Sequence, residues 1–432
     1  MVFHKKGAVS PLASNTRSPL FFGWYVLAAC FVILFLTSGA RFTIGVVFKP
    51  LMAEFGWDRS AVSLAFFANM TVFALSLLVT GRAYDRYGPR WVIAFSAVLL
   101  TSGFMGLALV ERFWQFFLLY GVLAAVGMGG TTVPLVAALL SKWFHRHRGL
   151  AVSLGLAGSC LGQFILVPAF TGLVLRYGWR CSYFVLGLLM LVVILGLALF
   201  VIKGDPQGLG LKPWGYVEGG ASEAGDDSRS AEAGLPDLGL RQAMRTRSFW
   251  LFVFVMFVCG GGDFLVTTHL IPMVTDYGIS PAVAGNMLGW LGLLSLAGIL
   301  VAGPLSDRIG TKIPIALTFL LRTFLFLLLL RFHTGAGFYF FSGAFGFTLL
   351  ITAPLNAILV GRLFGFSNLG LISGFITTIH HIGGGFWAFM GGVIFDRTGS
   401  YHPAFIISAA LSLMAFLCAL LIREEKHRLP SP

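Results

Sequence analysis

Residues 37–60 read TSGARFTIGVVFKPLMAEFGWDRS. Arg41 sits there among apolar and small residues, in a helix whose apolar run closes near Phe48. At about 1.5 Å of rise per residue, that places the guanidinium roughly 10 Å below the helix's outer end. A charge at such depth costs about 2.5 kcal/mol or more unless it faces a cavity or a partner. A constant shift of 222 carries Arg41 onto Asp263, Pro50 onto Pro272 and Gly56 onto Gly278. The same shift carries Gly81, Asp85, Arg86 and Gly88 onto Gly303, Asp307, Arg308 and Gly310. The chain therefore holds two copies of one unit, with a buried cation in the first and a buried acid in the second at equivalent positions.

Outward from this stretch the composition excludes a soluble globular protein. Of 432 residues, 57 % are hydrophobic and only 11 % charged. Apolar runs long enough to cross a bilayer recur, and twelve are read: 21–48, 60–82, 91–110, 113–141, 149–175, 182–202, 248–274, 282–304, 314–331, 336–361, 371–394 and 404–422. The expected fold is all-α, twelve transmembrane helices in two pseudo-symmetric six-helix halves. The net charge of +13 does not point to nucleic acid, because its distribution is one-sided. With the N-terminus inside, the inward segments carry 21 of the 30 Lys and Arg and the outward ones 7. That bias predicts cytoplasmic termini and a multi-pass protein of a bacterial inner membrane. The first run is too long for a cleaved signal and lacks a small-residue cleavage site. Five scattered cysteines (Cys30, Cys160, Cys181, Cys259 and Cys418) give neither a disulfide frame nor a metal spacing.

Expected boundaries follow: a cytoplasmic N-tail over 1–20, the first half over 21–202, a linker over 203–247, the second half over 248–422 and a C-tail over 423–432. The linker is polar and rich in Gly, Ser and Ala, and reads as a solvated tether.

Two short segments repeat at half-chain spacing. GRAYDRYGPR (81–90) follows the second span and GPLSDRIGTK (303–312) the eighth. Glycines there allow a tight turn and close helix approach, and Asp85 can cap a helix or pair with an Arg. This Gly-x-x-x-Asp-Arg-x-Gly pattern resembles the signature loop of the major facilitator superfamily, whose two halves surround a central site. The resemblance covers the chain apart from its tails and linker. It implies a gating role for Gly81, Asp85, Arg86, Gly88 and Arg90, and for Gly303, Asp307, Arg308 and Gly310. GMGGTTVP (127–134), the turn SKWFHRHRGLAVSLGLAGSCLG (141–162), GWYVL and FKPLMAEFGWDRS are similar to the monocarboxylate and oxalate/formate transporter branch. That branch moves small organic anions, often with a proton. Its proton-linked members carry an Asp and an Arg on the eighth helix, where this chain has Ser295 and Ile299, so the cation is expected on the first helix and the acid on the seventh. Gly155, Gly158 and Gly162 share one helix face and include a Gly-x-x-x-Gly step for close packing.

Candidate site residues are few. Arg41 is expected to bind an anion, with Asp263 taking a coupling proton and neutralising Arg41 in the empty carrier. Gly260 to Gly262 precede Asp263 and are expected to loosen or break the helix at substrate depth. Thr377, His380 and His381 lie on the eleventh span. Adjacent helical residues point about 100° apart, so one His at most is expected to face the cavity squarely. His269 is a second proton candidate near the outer end. Arg322 reads as snorkelling or structurally paired. Phe42, Trp290 and Trp387 are candidate cavity walls.

No nucleophile-base pair, metal cluster or phosphate loop is read, so neither an enzyme nor an ATP-driven pump is expected and no cofactor is implied. The expected function is proton-coupled transport of a small organic anion, a monocarboxylate, by a monomer in the lipid bilayer. Efflux of a hydrophobic or cationic compound is the alternative within the class, and a non-transporting membrane sensor the alternative outside it.

Overall fold

The computed structural model describes residues 21–207, 210–215, 238–365 and 367–423. The N-tail, most of the linker and the C-tail beyond Arg423 lie outside the described residues. Among those described, nine helices are long and apolar enough to cross a membrane. In chain order the spans are α1 (Gly23–Phe55), α2 (Arg59–Tyr87), α3 (Pro89–Leu107) and α4 (Phe113–Trp143). Arg148–Phe200 is one continuous run kinked at Gly178, whose φ of 79° is non-helical, and it supplies α5 (148–177) and α6 (179–200). The second half follows with α7 (Arg247–Asp276), α8 (Pro281–Ile309), α9 (Lys312–Leu328), α10 (Gly335–Phe364), α11 (Leu369–Thr398) and α12 (His402–Leu421). The chain thus forms the expected twelve-helix, all-α membrane fold.

Repeat-equivalent residues adopt equivalent conformations. Gly88 (φ 78°) and Gly310 (φ 82°) turn the chain between α2 and α3 and between α8 and α9. A residue with a Cβ would be strained at both. Gly56 (φ 69°) and Gly278 (φ 79°) match likewise, and Asp58 and Ser280 stand at the N-caps of α2 and α8.

Within the first half, α5 lies against α1. Gly158 and Gly162 face the Phe31 and Phe35 carbonyls so closely that no Cβ would fit, which is the close packing expected of the Gly-x-x-x-Gly step. Between the halves, α2 packs on α11 and α5 on α8.

Three local expectations change. The first helix does not end near Phe48. It runs on to Phe55, which puts Arg41 about 20 Å from that end, near mid-membrane. Nor do Gly260–Gly262 break α7, which is helical from Arg247 to Asp276. They are packing positions: Gly260 touches the His380 carbonyl and Gly384 of α11, while Gly262 faces Phe326 and Arg322 of α9. The interruption falls on α1 instead, where one helical segment closes at Arg41 and the next opens at Ile44. Thr43 bridges the gap, its hydroxyl donating to the Ala40 carbonyl at 2.7 Å. Finally, the described ends of the linker are not a free tether. Trp214 donates from its backbone to the Trp143 carbonyl at 2.9 Å and packs on Phe21, and Leu238 donates to the Phe364 carbonyl at 2.8 Å.

The two ends of the bundle differ. At one end the halves are tied together. Arg59 of α2 holds Asp276 of α7 at 2.8 Å and donates to the Tyr401 hydroxyl at 2.7 Å. Lys49 of α1 reaches the same Asp276 at 2.7 Å. Asp396 of α11 accepts from the Arg59 and Ser60 backbone amides at 3.1 and 2.7 Å, so it caps the start of α2 across the interface. Phe395 lies under the Arg59 guanidinium at 3.5 Å. At the other end stand the two repeated loops. Asp85 and Asp307 make no ion pair or hydrogen bond among the described residues, and no atom lies where a Cβ at Gly81 or Gly303 would contact it. The cap or Arg pairing expected for Asp85 is not formed in this conformation.

Candidate substrate site between the two halves

A cavity of about 390 Å³ lies between the halves. Its walls come from the middle of α1, α2, α4, α7, α10 and α11 and from the parts of those helices nearer the repeated loops. Arg41, Phe42, Asp263, Thr377, His380 and His381 all line it, so six of the candidates from three separate regions of sequence share one space.

Arg41 enters from the first half, at the C-terminal end of its helical segment, where the backbone dipole favours a cation. No carboxylate pairs with it among the described residues. Its Nη2 donates to the Met70 thioether at 3.0 Å, a weak acceptor, and Phe73 and Phe264 flank the guanidinium at 4.5 and 5.0 Å. Its Nε is buried without an acceptor.

Asp263 does not neutralise Arg41. It pairs with Arg322 of α9, Oδ1 to Nη2 at 2.6 Å, inside the second half. Arg322 is fully buried, and its other donors are spent on Thr348 Oγ1 (3.0 Å), the Thr348 carbonyl (2.9 Å) and the Cys259 carbonyl (3.2 Å). It does not line the cavity and holds Asp263 from behind. This resolves the reading of Arg322 in favour of pairing; it does not snorkel. A lone charge at either position would be costly, whereas the ion pair is compensated.

His380 presents Nε2 to Asp263 Oδ2 at 3.8 Å. His381 anchors Nδ1 to the Thr377 carbonyl at 2.8 Å and sets its ring against Phe73. Both line the cavity. Thr377 Oγ1 accepts from Asn356 Nδ2 at 3.2 Å.

Other candidates lie elsewhere. His269 is buried in the tied end, with Nδ1 to the Tyr401 hydroxyl at 2.9 Å and Nε2 to the Ala388 carbonyl at 2.8 Å. Trp290 stacks edge-on with Phe164, and Trp387 donates to Ser408 Oγ at 2.8 Å, outside the cavity. Cys259, Asp263 and His380 place ligand-type atoms within 4.8 Å of one another. A metal ion there would meet the Arg322 guanidinium that already compensates the acid, so the charge balance disfavours one.

Sequence reasoning missed Asn356, Thr132 and the tie formed by Arg59, Asp276, Asp396 and Tyr401. A charged or amide residue within or beside an apolar run was the signal in each case but Thr132 and Tyr401, which carry none.

The profile of the Major Facilitator Superfamily matches residues 30–274 and again residues 252–432. The chain belongs to the Major Facilitator Superfamily. It is an integral, multi-pass membrane protein of a transporter family, not an enzyme. Among its relatives, an uncharacterised MFS-type transporter, YcxA of Bacillus subtilis, is 25 % identical over 94 % of this chain and 98 % of its own length. Human monocarboxylate transporter 11 is 28 % identical over 90 % of this chain and 81 % of its own. Bovine monocarboxylate transporter 13 is 26 % identical over 90 % and 87 %. In structure the chain is similar to a bacterial homologue of the lysosomal transporter Spinster, in an inward-facing form, with a TM-score of 0.67 over 94 % of this chain and 95 % of that one, at 13 % identity. It is also similar to the nucleoside transporter NupG, with a TM-score of 0.72 over 93 % and 99 %, at 11 % identity. These likenesses show the facilitator fold.

Proposed function

We propose that this facilitator moves a small organic anion, a monocarboxylate, together with a proton. The observation that carries the reading is Arg41, a cation in the central cavity with no carboxylate partner. Asp263 and Arg322 cancel, so the cavity keeps one net positive charge when its histidines are neutral. A carboxylate supplies the missing negative charge and the acceptors that Arg41 lacks, in the two-point geometry a guanidinium favours. The monocarboxylate transporters among the relatives support the substrate class. A cationic substrate fits less well, since Asp263, the acid that lines the cavity among the described residues, is already held.

Coupling follows from charge. His380, beside Asp263, is the proton carrier in this reading. A second cation beside Arg41 is unfavourable in an empty cavity and favourable once an anion is bound. Protonation and anion binding therefore assist one another, and the assistance is reciprocal.

The two ends serve as gates for alternating access. With the repeated loops in the cytoplasm, as the positive-inside bias supports, the tied end faces outward and the cavity opens inward. The Asp85 and Asp307 loops would then close the inner end in the opposite state. His269 belongs to the outer tie in this scheme.

Uptake of labelled phenylpropionate into proteoliposomes, with and without an inward proton gradient, tests the reading. Arg41→Lys retains part of the uptake and Arg41→Ala abolishes it. His380→Gln keeps counterflow exchange and loses uphill, gradient-driven accumulation. Full uptake by the Arg41→Ala carrier removes Arg41 from the site, and intact accumulation by His380→Gln moves the proton elsewhere.

A further inference from the structure

The cavity has more unmet chemistry than one carboxylate supplies. Five of its lining residues carry a side-chain atom buried without a hydrogen-bond partner: Arg41 Nε, Thr132 Oγ1, Asp263 Oδ1, Asn356 Oδ1 and His380 Nδ1. Buried polar groups are rarely left unpaired, so orphans that converge on one cavity point to a ligand. Asp263 Oδ1 already has the Arg322 cation at 2.6 Å, and His380 is the proton carrier; the other three fall into two groups. Arg41 and Thr132 belong to the first half and offer donors. Asn356 belongs to α10 of the second half and offers an acceptor. Its amide is held in place, because Nδ2 donates to Ser373 Oγ and Thr377 Oγ1, each at 3.2 Å. Oδ1 is thereby the free atom.

The rest of the wall is largely apolar, including Leu34, Phe73, Met128, Met256 and Phe264. At about 390 Å³ the space falls in the range of pockets that enclose molecules the size of drugs. A two- or three-carbon acid would fill one corner and leave the apolar wall and Asn356 unmet.

We infer that the substrate is a bulky, aromatic monocarboxylate that carries a hydrogen-bond donor, such as a hydroxyl, at the end remote from its carboxylate. The carboxylate lies on Arg41 and Thr132, the ring packs on the apolar wall that includes Leu34, Met128 and Met256, and the distal donor meets Asn356 Oδ1. This rests on the reading of Arg41 as the anion's partner and adds size, shape and a second polar contact to it. The specificity has a physical basis. A site built to bond a hydroxyl rejects an analogue without one, because its own polar atom stays buried and unpaired.

The test measures binding by titration calorimetry on the purified, full-length carrier with five probes: para-hydroxyphenylpropionate, phenylpropionate, para-methoxyphenylpropionate, lactate and the amide of the first. The hydroxy acid should bind about tenfold more tightly than the plain or methoxy acid, and lactate at least about a hundredfold more weakly. The amide should bind weakest of the aryl compounds. Asn356→Leu should erase the preference for the hydroxy acid over the plain and methoxy acids. Lactate binding as tightly as the aryl acids overturns the size argument while leaving the anion reading intact. An amide that matches its acid overturns the anion reading itself. A methoxy acid equal to the hydroxy acid overturns the donor contact without recourse to any variant, as does a preference that survives Asn356→Leu. No binding by any aryl acid overturns the inference as a whole.

Discussion

Arg41 and Asp263 occupy the same position in the two repeats and line the same cavity, yet they are treated oppositely. Asp263 is paired within its own half, by Arg322 at 2.6 Å, in a helix that stays continuous through three glycines. Arg41 ends a broken helix and, among the described residues, has the Met70 sulfur and two aromatic rings against its guanidinium. One repeat has used its buried charge to build structure, and the other has left its charge available. The repeat symmetry thus gives the cavity one wall whose charge is paired and one whose charge is not.

Removing the paired cation should break this contrast most severely. Arg322→Met leaves Asp263 buried without its partner and should cost about 3–5 kcal/mol of stability, read as thermal unfolding in detergent. Asp263→Asn combined with Arg322→Met should recover much of that loss. Additive losses in the double variant would show that the pair is not the reason for the cost.

The same substitution on the other wall should act with the opposite sign. Arg41→Met removes an uncompensated cation and should leave stability, read as the unfolding temperature, unchanged or raise it by about 2.5 kcal/mol of relieved burial cost, while anion binding disappears. A fall comparable with that of Arg322→Met would mean Arg41 has a structural partner after all.

At the tied end, Arg59→Gln removes one of two cations from Asp276, which is partly exposed. The closed state should weaken by about 1 kcal/mol. Spin labels placed across that end should then report a larger open population, and an unchanged distance distribution would dismiss the tie as a gate. The smallest equilibrium effect is expected at the far loops. Asp85→Asn should leave anion affinity and unfolding temperature almost unaltered in this conformation while slowing turnover. An equal loss of affinity and rate would point to misfolding in place of gating.

Much of this architecture was legible in the sequence, because it is written in periodic or repeated features. Hydrophobic runs set the helices, and the shift of 222 residues paired Gly88 with Gly310 and Arg41 with Asp263. The cavity residues Arg41, Asp263 and His380 stood out because each is polar at a depth where polarity is costly. What could not be read was partnership. Nothing in one chain says that Asp263 meets Arg322, 59 positions on and two helices away, rather than its repeat mate. Local propensity misled at Gly260–Gly262 as well. Glycine weakens an isolated helix, but here contact with the His380 carbonyl of α11 rewards the missing side chain and keeps α7 intact. His269 looked like a proton site for its residue type alone, and its packing against Tyr401 gives it a different place.

The tie at the closed end has a consequence for biogenesis. Its cations, Lys49 and Arg59, come from the first half, and its acids, Asp276 and Asp396, from the second. Each half therefore shows a face of one sign. Two copies of the same half, brought together in a crowded membrane, would set like charge against like, whereas the proper mate brings the complement. Halves made as separate polypeptides should accordingly assemble with each other and not with themselves, so a contact that ties the two halves also selects which folded unit a nascent one accepts.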